Sequence, residues 1–310
     1  MSMPLVLSPA GPAAATIAEV SWVLTIGAAL LFTGTMVVLA LALRRGGGRI
    51  RPLWWLAGGG LVLPIVVLGA LFFYSTQRTP PWQAPPPPGS MIVSVIGRMW
   101  WWEIRYRDPA TGAEVVTANE LRLPVGRPVY LGLSSTEVIH SLWIPELGGK
   151  MDMVPGRTNH LLLQASRPGV YRGQCAEFCG EAHARMALHA VAEPQADFDA
   201  WLAAQARPSA PPATPRLAAG RRVFDEQKCA ACHTVREAGG AGEGARLGPD
   251  LTHVGSRLHL AAGTLPNGAD AMSRWLTHVQ EVKPGTRMPT YARLSGPELD
   301  ALAAWLTSLK

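Results

Sequence analysis

The sequence predicts a multi-domain membrane protein in which a two-helix transmembrane hairpin precedes an antiparallel β-sandwich and an all-α domain. Two stretches without a charged residue, at positions 20–43 and 53–76, predict the hairpin. Short β-rich runs separated by Gly and Pro turns, from Met91 to about Glu193, predict the sandwich. After a second Pro-rich segment the pattern changes to helices and Gly-rich loops, which predicts the all-α domain.

Both uncharged stretches are long enough to cross a membrane. Each has 24 residues, and a helix of that length spans about 36 Å, against a hydrocarbon core of about 30 Å. Pro64 predicts a kink in the second helix. The alternative for the first stretch is a cleaved signal peptide, but no cationic segment precedes it and it is longer than the apolar part of such a peptide.

The positive charges predict how the hairpin is oriented. Residues 1–43 contain no Lys or Arg, whereas the short segment between the two stretches contains Arg44, Arg45, Arg49 and Arg51. Cytoplasmic loops carry an excess of positive charge, so this segment is expected in the cytoplasm. Both termini and both later domains are then expected outside the cytoplasm.

Composition changes divide the chain into five regions. They are the N-terminal segment with the hairpin at 1–78, a Pro-rich linker at 79–90, the β-sandwich at 91–206, a Pro/Ala linker at 207–215 and the all-α domain at 216–310. We call residues 91–206 the sandwich domain and residues 216–310 the helical domain. A capping box from Ser295 to Glu298 is expected to start the last helix, with an apolar face formed by Leu299, Leu302, Trp305, Leu306 and Leu309.

The charge balance argues against a nucleic-acid partner. Charged residues make up 16% of the chain, below the usual share of about 25%, as the membrane segments would require. The net charge of +6 is spread over the chain, and no run of Lys or Arg forms a stripe that could follow phosphates.

The Cys229-Ala-Ala-Cys232-His233 motif is typical of covalent attachment of haem c. A Cys-x-x-Cys pair alone also fits a redox disulfide or half of a zinc site. The adjacent His233 favours haem, because it would be held beneath the iron as an axial ligand. Met288, in a loop stiffened by prolines, is the predicted second axial ligand. Its competitor Met272 reads as an ordinary core position of a helix.

A second cluster of soft donors lies between residues 175 and 186. Cys175, Cys179, His183 and Met186 bring two thiols, an imidazole and a thioether into twelve residues. That donor set suits copper, and two thiolates on one loop can bridge two metal ions. A second histidine is then required, and His140, at a predicted strand end, is the candidate. The alternative is a disulfide between the two cysteines, since the domain is expected outside the reducing cytosol.

With these motifs, the chain resembles subunit II of haem–copper cytochrome c oxidases, in the form with a cytochrome c domain fused at the C-terminus. The resemblance covers the chain from about Ala14 onward and implies a cupredoxin-like sandwich and a class I cytochrome c domain. It also implies a dinuclear copper centre (CuA). The implied copper ligands are His140, Cys175, Glu177, Cys179, His183 and Met186.

The same resemblance implies roles around the copper centre. Glu177 would give its backbone carbonyl to copper and its carboxylate to a magnesium ion shared with subunit I. The loop at 148–157 resembles the family's segment that faces subunit I, and Trp100 resembles the residue through which electrons reach the copper. Met99 and Trp101 depart from the family's common Gln and Tyr at this patch. Residues 44–76 contain no Asp or Glu, so a family acid near a proton path has no counterpart.

The resemblance implies that the chain is the electron-input subunit of a terminal oxidase, an oxidoreductase and translocase. It would accept electrons at the haem c and pass them through the copper pair to subunit I, where oxygen is reduced to water. No group of this chain is expected to perform bond chemistry itself. The expected partners are subunits I and III, a cytochrome c or similar donor, and the lipid of a bacterial-type plasma membrane, with both metal domains on the periplasmic side.

Three alternative functions share some of these features. The first is a free-standing, membrane-anchored copper and haem electron carrier without an oxidase partner, and no sequence feature separates it from the oxidase subunit. A nitrous oxide reductase would need a large His-rich catalytic domain, which eight scattered histidines do not supply. A quinol-oxidase subunit II would lack the copper ligands, which are all present here.

The other histidines match no ligand spacing and are expected to be surface or packing residues. They are His160, His189, His253, His259 and His278. Glu19, at the start of the first apolar stretch, is expected either at the membrane surface or against subunit I.

Overall fold

The computed structural model describes residues 8–45, 51–79, 85–109, 111–237 and 247–310. Most of the predicted cytoplasmic loop, including Arg49, and residues 80–84 of the first linker lie outside the described residues.

Two long apolar helices begin the chain. Helix α1 spans Pro12–Arg45, and helix α2 spans Pro52–Arg78. Both are long and apolar enough to cross a membrane, and their apolar stretches are not buried within the chain. Residues 55–62 of α2 form π-helical turns, which directly precede Pro64, a residue that lacks the N–H that the helical ladder requires.

A polar contact joins the two helices at one end of the hairpin. The Glu19 carboxylate accepts hydrogen bonds from Arg78 Nη2 at 2.8 Å and from the Tyr74 hydroxyl at 3.0 Å. The start of α1 and the end of α2 therefore lie at the same end of the hairpin. Glu19 has a partner within this chain.

The sandwich domain consists of two five-stranded sheets. Their strands are β1 Met91–Arg98, β2 Trp101–Arg107, β3 Glu114–Ala118, β4 Glu120–Pro124, β5 Val129–Ser135, β6 His140–Trp143, β7 Met151–Met153, β8 Asn159–Leu163, β9 Gly169–Cys175 and β10 Ala187–Glu193. One sheet has the order β3-β2-β1-β5-β8 and the other β4-β10-β9-β6-β7. Most pairs are antiparallel, as predicted, but β1 runs parallel to β5 and β4 parallel to β10. Helix α3, Gln195–Ala206, follows the last strand.

The sandwich encloses an apolar core because its strands alternate buried and exposed residues. Strand β5 is the clearest example, with Val129, Leu131 and Leu133 fully buried and the residues between them partly exposed. Trp102 and Ile104 of β2 are fully buried in the same core.

The helical domain has three principal helices around its own core. They are α4 Pro215–Glu226, α5 Ala269–Thr277 and α7 Gly296–Ser308, with the short helix α6 Val279–Val282 and a two-stranded β11–β12 ribbon at His259–Leu260 and Leu265–Pro266. The predicted capping box of α7 is confirmed, since the Ser295 N–H donates to the Glu298 carboxylate at 2.8 Å. Its predicted apolar face is also confirmed: Leu302, Trp305, Leu306 and Leu309 are buried, and Leu299 packs against them.

Gly220 allows α4 and α7 to cross closely. A Cβ atom at this position would lie 2.1 Å from the Ala301 carbonyl oxygen and 2.7 Å from the Trp305 Cβ atom. Neither neighbour can move without shifting the α7 backbone. The contact between the two helices therefore requires glycine at 220.

The second linker is bonded to the helical domain. The Ser209 N–H donates to the Arg236 carbonyl at 2.8 Å, and His253 Nε2 lies 3.0 Å from the Arg207 carbonyl oxygen. Thr214 caps α4 by accepting from the Leu217 N–H. The start of the linker is thus attached to the domain that follows it.

The sandwich and helical domains share a packed interface. Trp101 and Ala118 form a buried apolar cluster with Ala262 of the helical domain. The Leu258 N–H donates to the Glu120 carboxylate at 2.8 Å. His189 of β10 stacks on His259 of β11, with ring centroids 3.9 Å apart and planes 8° from parallel. These contacts hold the helical domain against residues of β2, β3, β4 and β10 in the sandwich.

We expect Gly220→Ala to destabilise the helical domain by about 1–3 kcal/mol, because the added methyl group overpacks the α4–α7 crossing. The measurement is pulse proteolysis of the full chain in urea, with fragments of the helical domain identified by mass spectrometry. Gly296→Ala is the matched control, since nothing lies within 4 Å of a Cβ there. Equal unfolding midpoints for the two variants would contradict the crossing as described.

We expect the interface to weaken in acid. Burial lowers the pKa of His189 to about 4, helped by the facing His259 and Arg172, and burial also lowers the pKa of His259, although Glu120 opposes that shift. A histidine kept neutral by the fold contributes stability above its unfolded pKa of 6.5 and loses it as the pH falls towards about 4.

The measurement is the thermal unfolding midpoint of the full chain across that pH range. As the pH falls, the unfolding midpoint of wild type should decrease more than that of His189→Phe, which keeps an aromatic ring but does not titrate. His160→Phe, at an exposed stacked position, should behave like wild type. The same acid sensitivity in His189→Phe and wild type would show that the stacked pair is not the cause.

Candidate metal centre

The four soft donors predicted on one loop are brought together by a β-hairpin. Strand β9 ends at Cys175 and β10 begins at Ala187, and the Cys175 N–H donates to the Met186 carbonyl at 2.9 Å. The Ala176 N–H donates to the Ser141 carbonyl at 2.9 Å. This second bond fixes the loop to β6, which places His140 beside it.

The donor atoms of the predicted ligands surround the two sulfurs. Cys175 Sγ and Cys179 Sγ are 3.8 Å apart, and both thiols are free. His140 Nδ1 lies 3.7 Å from Cys175 Sγ. His183 Nδ1 lies 3.5 Å and Met186 Sδ lies 3.9 Å from Cys179 Sγ. The distant histidine and the four donors of the loop therefore meet at one point.

These spacings fit ligands around metal ions. Metal–sulfur bonds of about 2.3 Å in a tetrahedral site place neighbouring donors about 3.8 Å apart. His140, Cys175 and Cys179 are all buried, and their ligand atoms lie within 4.8 Å of one another. Of the two ring nitrogens of His140, Nδ1 faces the sulfurs. The other, Nε2, is buried without a hydrogen-bond partner. Thiolate, imidazole and thioether donors together suit copper.

A hydrogen bond joins the two sulfurs. It lowers the pKa of Cys175 well below its usual range, and together with burial it raises the pKa of Cys179. Thiolate is the form of cysteine that binds metal, so the lowered pKa of Cys175 favours a metal ligand at this position.

Trp100 lies directly against the loop at 175–186, which we call the copper loop after its predicted ligands. Its indole Nε1 donates to the Cys179 carbonyl at 2.7 Å, and the side chain is buried. Gly180, with φ +114°, makes this approach possible, since a Cβ atom there would lie 2.9 Å from the indole ring. The next two tryptophans differ: Trp101 packs against the helical domain, and Trp102 is in the sandwich core, 6.2 Å from the His140 ring.

The backbone of Glu177 lies beside the sulfur cluster. Its carbonyl oxygen lies 3.2 Å from Cys175 Sγ, within reach of an ion bound to that sulfur. The neighbouring Phe178 is 76% exposed, and its ring lies 5.7 Å from that of His183. The tip of the copper loop thus presents an aromatic side chain to its surroundings.

In the helical domain, Cys229 and Cys232 lie on one tight turn directly after α4. The turn Cys229–Ala231 is a 3₁₀ helix, and the His233 N–H donates to the Cys229 carbonyl at 3.0 Å. His233 Nδ1 lies 2.8 Å from the Pro249 carbonyl oxygen, and burial lowers the pKa of this imidazole. A neutral ring with Nδ1 bonded to a carbonyl leaves Nε2 as the metal-binding nitrogen.

The Met288 loop is held by a side chain that the sequence patterns did not single out. Gln280 Oε1 accepts from the Gly285 N–H at 3.0 Å, and Gln280 Nε2 donates to the Thr286 carbonyl at 2.9 Å. Met288 is partly buried against the domain core, whereas Met272 is fully buried within it on α5. These positions agree with a core role for Met272.

Two family models match this chain over its folded regions. Residues 109–192 match the model of the periplasmic domain of cytochrome c oxidase subunit II, and residues 217–310 match the model of cytochrome c. The chain is therefore similar to subunit II of cytochrome c oxidase within its sandwich domain and to cytochrome c within its helical domain. A subunit II domain implies CuA copper, and a cytochrome c domain implies a haem; the clusters around Cys175 and Cys229 offer fitting ligands for each.

Curated relatives of the chain carry the name of the first of these two families. Cytochrome c oxidase subunit 2 of Alkalihalophilus pseudofirmus is 39% identical over 191 residues, or 62% of this chain and 54% of the relative. Cytochrome c oxidase subunit 2 of Bacillus sp. (strain PS3) is 33% identical over 203 residues, or 63% and 57%. The chain spans about half the length of the curated relatives it matches.

One similar solved structure is the periplasmic domain of subunit II of cytochrome oxidase (CoxB) of Bradyrhizobium japonicum. It is 26% identical with a TM-score of 0.37, and the match covers 39% of this chain and 97% of that one.

We expect Met288→Leu to lower the midpoint potential of the haem in the cytochrome c domain by on the order of 100 mV, because a thioether ligand raises that potential. Optical redox titration of the purified full chain measures it. Met272→Leu is the matched control, a volume-conserving change in the core that should leave the potential unchanged. A larger shift in potential for Met272→Leu than for Met288→Leu would show that Met272, and not Met288, is the haem ligand.

Proposed function

We propose that this chain is the electron-input subunit of a terminal cytochrome c oxidase. It would accept electrons at a haem c bound through Cys229 and Cys232 and deliver them through a dinuclear copper centre to a haem–copper subunit I. The observation that carries the proposal is the cluster of two free, buried sulfurs 3.8 Å apart, ringed by two imidazoles and a thioether. The two metal groups supply one-electron redox chemistry when bound.

The residues of the copper loop would hold and shield the metal pair. Cys175 and Cys179 would bridge the two ions, and His140, His183 and Met186 would be terminal ligands. The hairpin bond that closes the loop joins backbone groups and uses none of the donor atoms, so it can hold the donors in place. Such preorganisation keeps the geometry constant when an electron arrives or leaves.

The haem residues would orient the second group beside the first. His233 and Met288 are the proposed axial ligands, and Gln280 fixes the loop that carries Met288. The helical domain packs on the sandwich next to the copper loop, with Trp100 between them. Trp100 is buried and its main-chain carbonyl is bonded to Lys283 of the helical domain, so we propose that it receives electrons from the chain's own haem.

The hairpin contacts support a periplasmic position for both metal domains. The Ala10 N–H donates to the Glu146 carbonyl, and the Ser166 N–H donates to the Ala10 carbonyl, each at 2.7 Å. These bonds place the start of α1 beside the sandwich domain, and the Glu19–Arg78 pair places the end of α2 there too. Arg44 and Arg51 lie at the opposite ends of the helices, where the positive-inside rule puts the cytoplasm.

We propose that the sandwich faces subunit I on the side nearest the membrane. The backbone of Gly148 and Gly149, at the start of the loop at 148–157, packs against Ala13 and Ile17 of α1. The Glu177 carboxylate is the proposed ligand of a magnesium ion shared with subunit I. Subunit III, and a cytochrome c or similar protein that donates electrons to the haem, complete the proposed set of partners.

We expect Met186→Leu and His140→Ala to slow electron transfer from the haem c to the copper centre at least about tenfold, because each removes one proposed copper ligand. Stopped-flow reduction of the purified oxidase complex measures the transfer, and a copper assay on the same samples gives the metal content. His160→Ala, an exposed histidine outside the cluster, is the control and should match wild type.

Unchanged transfer in both ligand variants would refute the copper relay. Absence of a large polytopic haem subunit from the purified complex would instead favour a free-standing electron carrier. A copper-free preparation with a Cys175–Cys179 disulfide would leave only a membrane-anchored cytochrome.

A further inference from the structure

Lys283 is a buried cation at the junction of the two metal-binding domains. The residue is only 3% exposed. Its ammonium group donates hydrogen bonds to the main-chain carbonyls of Trp100 and Ala261, the latter at 3.5 Å. Trp100 belongs to the sandwich domain and Ala261 to the helical domain. One side chain therefore ties together the backbones of both domains.

The neighbours of Lys283 link the two proposed metal sites. On one side, Lys283 begins the loop that carries Met288, and Gln280 braces that loop. On the other side, Trp100 accepts from Lys283 through its carbonyl and donates through its indole to the Cys179 carbonyl. A continuous path of covalent and hydrogen bonds runs from the haem-ligand loop to a copper-bridging cysteine.

A second bond fixes the same corner of the helical domain. Arg185, next to the proposed ligand Met186, donates through Nη1 to the Val282 carbonyl at 2.7 Å. Val282 directly precedes Lys283. The two neighbouring positions are thus attached to the copper loop at two points, directly at Arg185 and through Trp100 at Cys179. Two attachments restrict rotation of the haem-ligand loop about either one.

Packing alone does not account for a lysine here. Burial of the amine is costly and lowers the pKa of Lys283 to about 7. An apolar side chain of the same length would avoid that cost but would leave the Trp100 carbonyl without its donor. The role that only the amine can serve is the hydrogen bond between domains.

We propose that Lys283 is a positioning residue for electron transfer, which fixes the Met288 loop of the helical domain against Trp100 at the copper centre. The inference rests on the proposed function. The two bound groups would supply the transfer of one electron from the haem to the copper pair, a step in which no covalent bond forms or breaks. Lys283 contacts neither metal group. It sets the separation and contact between the residues that hold them.

The test compares Lys283→Met with wild type in the intact, metal-loaded oxidase complex. The variant keeps the length of the side chain but donates no hydrogen bond, so we expect the haem-to-copper transfer rate to fall about tenfold or more. The haem spectrum, the haem potential and the copper content should stay as in wild type, because no ligand is changed. Lys283→Arg, which retains a cationic donor, should recover part of the rate.

Lys228→Met is the matched control, since Lys228 is exposed near the haem motif and outside the interface. Its transfer rate should equal that of wild type. An unchanged rate in Lys283→Met overturns the positioning role. A wild-type complex in which the reduced haem fails to reduce copper overturns the proposed function instead, so the two failures are distinguishable.

A second measurement needs neither a variant nor turnover. An amine-reactive acylating reagent, with modified lysines identified by mass spectrometry, should label Lys228 and Lys310 readily and Lys283 at least about tenfold more slowly. That result shows the interdomain contact in solution. Labelling of all three at similar rates shows that the amine is not held at the interface, and it overturns the proposal even if Lys283→Met does not fold.

Discussion

The two sulfur atoms of Cys175 and Cys179 share a small buried space, and much of the sandwich domain serves to keep them there. Two thiols at 3.8 Å would drift apart on a free loop, because nothing in their own chemistry holds that separation without a disulfide or a metal. Here the hairpin bond between Cys175 and Met186 closes the loop, and the bond from Ala176 to Ser141 fixes it to a third strand. The histidine that completes the cluster, His140, is therefore determined by the sheet pairing of β6 with β9.

The helical domain contacts the sandwich domain beside the same loop. It contacts the sandwich through β11 and through the segment after α6, and both contacts lie beside residues that adjoin the copper ligands. The bonded linker at 207–215 limits how far the helical domain can move away. In the structure the two domains are a packed pair, which differs from a cytochrome carried on a loose tether. This packing fixes the separation of the two proposed metal sites.

Local patterns were sufficient for the parts of this molecule that depend on neighbours in sequence. The apolar helices, the capping box at Ser295 and the buried face of α7 follow from composition and spacing over a few residues. The grouping of Cys175, Cys179, His183 and Met186 follows from their places on one loop. His140 was selected from a strand-end position, and its side chain does reach the cluster.

The features that the sequence did not indicate depend on how separate elements meet. The parallel pairs β1–β5 and β4–β10 join strands distant in the chain. The stacked His189 and His259, and the contact of Trp101 with Ala262, exist only once the two domains have docked. Gln280 acts through backbone groups of its own loop, and Lys283 through a carbonyl 183 positions away. Neither has a partner that a motif could reveal.

Trp100 is buried, and its main-chain carbonyl is bonded to the chain's own helical domain. A diffusing redox partner must dissociate after every delivery, so its binding site has to stay hydrated, weakly adhesive and tolerant of imperfect orientation. An interface within one chain has no such turnover, and its complementarity can increase without slowing release. Under the proposed function, reversible recognition of an electron donor would therefore fall to the outward surface of the helical domain.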